Sequence, residues 1–181
     1  FPRRPDFEPA VSGPVGPLAL AINSNRFPTD DLAVRRALLH LVDKDVLTRG
    51  VFMGTQPPAD TLFSPDVPYC DLGLEPYAHD PARAARLLDE AGWRLENGVR
   101  KKDGRALEIE LCFVGNDAAQ KAVSEVLQGQ AAELGVRLLL RGEEEDSFYR
   151  RQKDGQFGMI MNATWGPPFE PHAMLGSMRR P

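Results

Sequence analysis

The sequence predicts an α/β fold, and this prediction depends on two patterns. A strand at 107–114, a helix at 117–134 and a strand at 136–141 follow one another, an order typical of a βαβ unit with parallel pairing and a right-handed crossover. An earlier short strand, Leu18–Ile22, is apolar throughout, as expected for a strand that is covered on both faces. With 181 residues, the chain is long enough to bury a substantial core.

The first 17 residues are predicted to be an extended lead-in. They contain five prolines and two glycines, which favour extended and turn conformations. The globular part is therefore expected to run from Leu18 to Pro181. Neither an initiator methionine nor a signal peptide is present, so we expect a fragment of a longer protein.

Two helical segments are predicted after the first strand. Thr29 can cap the first of them, and apolar residues between 34 and 41 recur at helical spacing. Asp43 restarts the helix, which continues to about Phe52. His40 shares a face with arginine and lysine and has no second metal-type ligand at helical spacing, so we expect a surface histidine.

A long loop and a clear helix start follow. Residues 54–77 contain five prolines, and a loop of this length is usually functional or packed on a surface. Asp80 is a favoured cap and Pro81 a favoured first helical residue. Gly92 ends this helix, and Trp93 is expected to pin its end to the core. Two turn signals predict a small hairpin before the long strand: Asn97-Gly98 and Asp103-Gly104.

An acidic run, Glu143–Asp146, precedes a fourth predicted helix over about 147–153. One interpretation of this run is a cation site. We favour the other interpretation, in which acids at a helix N-terminus interact with the helix dipole, because nothing in the sequence groups them into a cage.

The segment after the last predicted strand combines aromatic residues with prolines. The strand is a short apolar run that begins at Phe157. Three prolines between Trp165 and His172 remove backbone donors and favour extended geometry. Such a stiff segment can hold Trp165 and Phe169 at the mouth of a cleft. From residue chemistry alone, we favour the alternative that both rings lie at the rim of the core.

Composition and motifs exclude several classes of function. The net charge is −4 and the pI is about 5.4, and no basic run is present, which argues against a nucleic-acid partner. No apolar stretch reaches membrane-spanning length. Cys70 and Cys112 are predicted to be free thiols. The sequence has no glycine-rich phosphate loop, nucleophile elbow or zinc spacing, so it indicates no catalytic residue.

Several segments resemble those of one family, the extracellular solute-binding proteins of peptide and nickel ABC importers (family 5). From about Leu18 onward, the chain is similar to their C-terminal lobe. The segment Thr164–Ala173 is similar to the nickel branch of the family, whereas peptide binders usually carry an Asp-Tyr-x-Asp-Pro variant there. The other matching segments are Leu32–Leu38, Ala59–Tyr69, Asp80–Trp93 and the stretch from Gly142 to Arg179.

The resemblance implies one lobe of a periplasmic-binding-protein type II fold, with a mixed sheet of βαβ units flanked by helices. It also implies a two-lobed, periplasmic, monomeric protein that closes around its ligand and delivers it to an ABC permease in the inner membrane. The implied cargo is nickel in a small chelate, with Trp165 and Phe169 as walls of the pocket. No metal ligand or catalytic residue is expected in this chain.

Three departures from the nickel branch keep alternatives open. Phe169 replaces a tyrosine, so a hydroxyl is lost, and Asn162-Ala163 replaces a His-Arg pair. The pocket histidine of that branch corresponds to a position beyond Pro181, and most other pocket groups belong to the opposite lobe. We therefore expect the fragment to fold but to bind ligand weakly or not at all. A dipeptide or oligopeptide binder of the same family is the main alternative, ahead of an α/β enzyme or an interaction module.

Overall fold

The computed structural model describes residues 16–65 and 67–163, together with residues 171, 172 and 175. It confirms the predicted α/β class. A π-helical turn, Leu47–Val51, continues the second helix. In chain order, the other elements are β1 (Leu18–Ile22), α1 (Leu32–Leu41), α2 (Lys44–Val46), α3 (Pro81–Glu90), β2 (Arg94–Glu96), β3 (Val99–Lys102), β4 (Arg105–Ala106), β5 (Glu108–Val114), α4 (Ala118–Glu133), β6 (Arg137–Glu143), α5 (Glu145–Asp154) and β7 (Met159–Ala163).

The larger sheet has four strands in the order β1-β7-β5-β6. β5 is parallel to both of its neighbours, and Leu111 lies opposite Leu140 of β6 and Met159 of β7. β1 pairs with β7 in the antiparallel direction. The sheet is therefore mixed, and the predicted βαβ unit of β5, α4 and β6 is confirmed.

The two faces of this sheet are covered by different helices. Successive residues of a strand point to opposite faces. On one face, α1, α3 and α4 contribute to the main core, where Leu38, Leu88 and Leu127 belong to one cluster of buried side chains. On the other face, Phe148 of α5 packs against Cys112 and Ile160. The helices α4 and α5 therefore lie on opposite sides of β5.

A small antiparallel sheet, β2-β3-β4, corresponds to the predicted hairpin. Arg100 of β3 is buried and fixes this sheet to its surroundings. Its guanidinium donates to the carbonyl oxygens of Leu134 and Trp93, each at 2.8 Å, and to the Asp89 carboxylate at 2.5 Å. Trp93 is 1% exposed, so it packs into the core at the end of α3 as predicted.

The predicted cap of α1 was wrong. Asp31, not Thr29, caps the helix, and its carboxylate accepts from the Ala33 N–H at 2.9 Å. The Thr29 side chain is buried, and its hydroxyl donates to the carbonyl of Asn23 at 2.6 Å. The chain between β1 and α1 thus uses the threonine to close a turn, and the helix begins two residues later.

The prediction of a surface position for His40 was also wrong. His40 is 5% exposed, and its Nδ1 lies 2.9 Å from the carbonyl oxygen of Ala78. The ring contacts that of Tyr77 edge to face, with centroids 5.2 Å apart. The end of the long loop returns over this face of α1, and the Asp80 N–H donates to the His40 carbonyl at 2.9 Å. Helical spacing alone could not predict that the long loop packs over His40.

The remaining predictions have mixed outcomes. Cys70 and Cys112 are free thiols, as predicted. α5 begins about two residues earlier than predicted, and Glu143 belongs to β6 rather than to the segment before the helix. No helix in the described part of the chain is long and apolar enough to cross a membrane. The predicted lead-in, 1–17, lies outside the described residues except for its last two positions.

Candidate functional site

The carboxyl ends of the parallel strands β5, β6 and β7 meet at one edge of the large sheet, which we call the carboxyl edge. The chain leaves β5 towards β6 through α4 and returns past β5 to β7 through α5. Because α4 and α5 cover opposite faces, the connections that leave β5 and β6 diverge at this edge. In open α/β sheets, ligands bind in the crevice at such a topological switch point. The carboxyl edge is therefore the candidate site.

Two glycines keep β5 and β6 close up to this edge. The Gly115 N–H donates to the Glu143 carbonyl at 2.8 Å. A Cβ on Gly142 would lie 3.2 Å from the Gly115 Cα and 3.3 Å from the Phe113 ring, and one on Gly115 would lie 3.3 Å from the Glu143 oxygen. The close approach of the two chains therefore favours glycine at both positions.

An open cleft of about 690 Å³ lies at the carboxyl edge, lined by Gly115, Asn116 and residues 142–146. The acidic run forms one wall of this cleft. Glu145 and Asp146 lie in the first turn of α5, where carboxylates interact favourably with the helix dipole. Among the described residues, no group of three or more potential metal ligands is present, so the geometry gives the cation interpretation no support.

Four charged side chains form a closed ring on the α5 face of the sheet, which we call the arginine–glutamate ring (Glu110, Arg141, Glu143 and Arg151). Arg151 contacts Glu143 at 2.8 Å and Glu110 at 3.5 Å. Arg141 forms an ion pair with Glu110 and lies 3.9 Å from Glu143. Partial burial opposes the charge of Arg151, but the hydrogen bond to Glu143 and the nearby carboxylates raise its pKa. Each glutamate therefore interacts with both arginines.

Cys112 lies beside this ring and is fully buried. Burial raises the pKa of the Cys112 thiol to about 11, and the charge of Glu110 acts in the same direction. Thiolates, not thiols, act as nucleophiles and bind metals. The Cys112 sulfur is therefore a packing group between the sheet and α5.

One exposed aromatic side chain, in the second turn of α5, was not considered in the sequence analysis. Tyr149 lies one helical turn after Glu145, is 54% exposed, and contacts the Phe148 ring edge to face at 5.5 Å. Its phenol combines an apolar ring with a hydrogen-bonding hydroxyl. An aromatic residue one turn into the helix that follows a parallel strand is a signal that was available in the sequence.

The predicted pocket residues, Trp165 and Phe169, lie outside the described residues. The strand β7 ends at Ala163, at the carboxyl edge and two positions before Trp165. Trp93 lies elsewhere: its indole contacts Phe27 and donates to Asp31 at 3.1 Å, and both belong to the connection that leaves β1 at the opposite edge of the sheet.

Residues 4–181 match the sequence model of the bacterial extracellular solute-binding proteins, family 5, middle region. The chain belongs to this family. Its fold is that of one lobe of a type II periplasmic binding protein. The structure superposes on the crystal structure of NikA from Brucella suis in complex with Fe(III)-EDTA with a TM-score of 0.90 and 53% sequence identity. This superposition covers 94% of the chain and 34% of that protein.

Two curated relatives bear on which branch of the family 5 proteins the chain resembles. It is 47% identical to the nickel-binding periplasmic protein of Escherichia coli strain K12, over 100% of the chain and 35% of the relative. It is 30% identical to the dipeptide-binding protein of the same strain, over 88% of the chain and 29% of the relative. The chain therefore spans about a third of the length of these family members.

Proposed function

We propose that the chain forms part of the substrate-binding component of an ABC importer, which captures nickel as a small chelate and delivers it to a permease in the inner membrane. The observation that carries this proposal is the similarity to a nickel-binding periplasmic protein, 47% identical along the whole chain, against 30% for the dipeptide-binding relative. The location that fits this role is the periplasm, and the role is binding without catalysis by a monomeric protein that has no nucleic-acid partner.

The two predicted pocket residues suit a chelate better than a bare ion. Trp165 and Phe169 supply ring faces, which pack against an organic chelator, and neither carries an atom that ligates nickel. An arginine from the opposite lobe is the usual partner for the carboxylates of such a chelator. Nickel is therefore cargo, held through the molecule that surrounds it.

The first experiment is calorimetric titration of the full-length protein with nickel sulfate plus L-histidine, with nickel sulfate alone, and with a dipeptide mixture. We expect tight binding of the nickel–histidine mixture only. Trp165→Ala should weaken this binding by about 2 kcal/mol, because the ligand would lose the aromatic wall that we propose for Trp165. Tyr69→Ala is the control, since it removes an aromatic side chain that is fully exposed.

Peptide binding is the second candidate function. The similarity to the dipeptide-binding relative favours it, as does Phe169, which lacks the hydroxyl that the nickel branch carries. In the same titration, binding of dipeptides without metal would establish this alternative and would contradict the nickel proposal. Equal nickel–histidine affinity in the parent and in Trp165→Ala would contradict the assignment of Trp165 to the pocket.

A further inference from the structure

Arg151 contacts three parts of the lobe, one of which lies at the carboxyl edge. Through the arginine–glutamate ring it reaches Glu110 in the middle of β5 and Glu143 at the end of β6. Its Nη1 also donates to the Gln156 carbonyl at 3.0 Å, in the turn that precedes β7. One side chain of α5 therefore connects this helix to the strands β5 and β6 and to the start of β7.

These contacts couple Arg151 to the geometry of the candidate site. Glu143 lines the cleft, and residues 144–146 follow it directly into the first turn of α5. The arginine–glutamate ring is partly shielded from water, because the side chains of Glu110, Glu143 and Arg151 are 22%, 18% and 25% exposed. Ion pairs with this shielding hold a geometry better than fully exposed ones. A shift of α5 would move the cleft wall and the start of β7 together.

A second ion pair joins the same two strands far from the site. Arg137 contacts Glu108 at 2.5 Å, and the two residues are directly opposite in the register. They begin their strands, so they lie about 20 Å from the carboxyl edge, given the rise of 3.3 Å per residue. The pair links β5 to β6 and includes no residue of α5, which makes it a matched control for the ring.

We propose that Arg151 is a positioning residue for ligand binding, which fixes α5 against β5 and β6 and so holds the carboxyl edge in its binding geometry. This inference rests on the proposed function. It predicts that loss of Arg151 changes ligand affinity, whereas loss of Arg137 changes stability alone. An arginine that only held the sheet together would give the same result as Arg137.

The test compares Arg151→Met, Arg151→Lys and Arg137→Met in the full-length protein, by calorimetric titration with nickel sulfate plus L-histidine and by thermal unfolding. Arg151→Met should raise the Kd roughly tenfold, as expected when a group that orients a binding site is removed. Arg151→Lys should recover part of this loss, since lysine keeps the charge but not the planar fork. Arg137→Met should leave the Kd unchanged and lower the Tm slightly at most, because its ion pair with Glu108 is largely exposed.

Glu110→Gln provides a second variant if Arg151→Met does not fold, because it weakens the ring without altering the lining of the cleft. A parent-like Kd in Arg151→Met or in Glu110→Gln would overturn the inference, and so would an equal rise in Kd for Arg137→Met. If the parent binds dipeptides and not nickel–histidine, the nickel proposal fails and the same variants are compared with the dipeptides. If the parent binds neither, both proposals fail.

Discussion

The carboxylate of Asp31 joins three parts of the lobe. It accepts from the Ala33 N–H at the start of α1, from the Trp93 indole at 3.1 Å and from Lys102 at 3.1 Å. Burial alone would raise the pKa of Asp31, but these hydrogen bonds and the charge of Lys102 lower it below its usual value of 3.8. Asp31 therefore stabilises the fold in its charged form, and this contribution is present above pH 4 and is lost as the pH falls through the lowered pKa.

Replacement of Asp31 should show how much its cap and its charge contribute to stability. Asp31→Ala removes a helix cap and two side-chain partners, so the free energy of unfolding should fall by about 2 kcal/mol at pH 7. Asp31→Asn keeps a capping oxygen and should lose less. Urea unfolding at pH 7 and at pH 3 checks both expectations. A difference between parent and Asp31→Asn that is equally large at the two pH values would contradict the role of the charge.

At the residue scale, sequence patterns identified chemical type better than environment. Asp80 was recognised as a cap because its signal is local: it directly precedes Pro81, and its carboxylate accepts from the Arg83 N–H at 2.8 Å. His40 was misplaced because a distant loop covers it. The arginine–glutamate ring could not be predicted from the sequence either, since its members meet only after β5 and β6 pair in one particular register.

At the element scale, the βαβ unit was predictable because each of its three elements has its own periodicity and end signals. Asp117 caps α4 through the N–H groups of Ala119 and Gln120, and Gly135 follows the helix with φ +74°. The antiparallel pairing of β1 with β7 was not predictable, because it joins the two ends of the described chain. Long-range pairing depends on the packing of the whole lobe rather than on local sequence.

Replacement of two glycines by alanine, one within α4 and one just before β7, should change the free energy of unfolding in opposite directions. A Cβ on Gly129, within α4, meets open space, so Gly129→Ala should raise the free energy of unfolding by about 0.5–1 kcal/mol through helix propensity. A Cβ on Gly158, just before β7, would lie 3.0 Å from Ile109 and 3.1 Å from the Glu110 oxygen. Gly158→Ala should therefore lower the free energy of unfolding by about 1–3 kcal/mol.

Chemical unfolding of both variants beside the parent checks this pair, each variant serving as the control for the other. A stabilising effect at both positions would mean that β7 moves away from β5 at little cost. The packing of Gly158 against β5 would then contribute little to the position of the strand that leads to Trp165.

At the scale of the whole molecule, the fold was predictable and the site only in part. The switch point at β5 follows from the order of the elements and from the opposite sides of α4 and α5, and it indicates where a ligand binds. The chemistry of the pocket does not follow from that order. Trp165 and Phe169 remain predictions that rest on resemblance.

The core and the candidate site differ in how far they depend on the part of the protein outside residues 1–181. The main core draws side chains from α1, α3, α4 and three strands into one buried cluster, so residues 1–181 expressed alone should unfold cooperatively in thermal melts followed by circular dichroism. Leu88→Ala is the control for this core: Leu88 is 1% exposed, and its truncation should cost about 3 kcal/mol.

The cleft, in contrast, is open, and binding sites enclose most of their ligand. Nickel–histidine should therefore bind residues 1–181 at least roughly a hundredfold more weakly than the full-length protein, because one wall alone excludes little water. Equal affinity would mean that this lobe contains the whole site, whereas non-cooperative melting would mean that the lobe needs its partner lobe to fold.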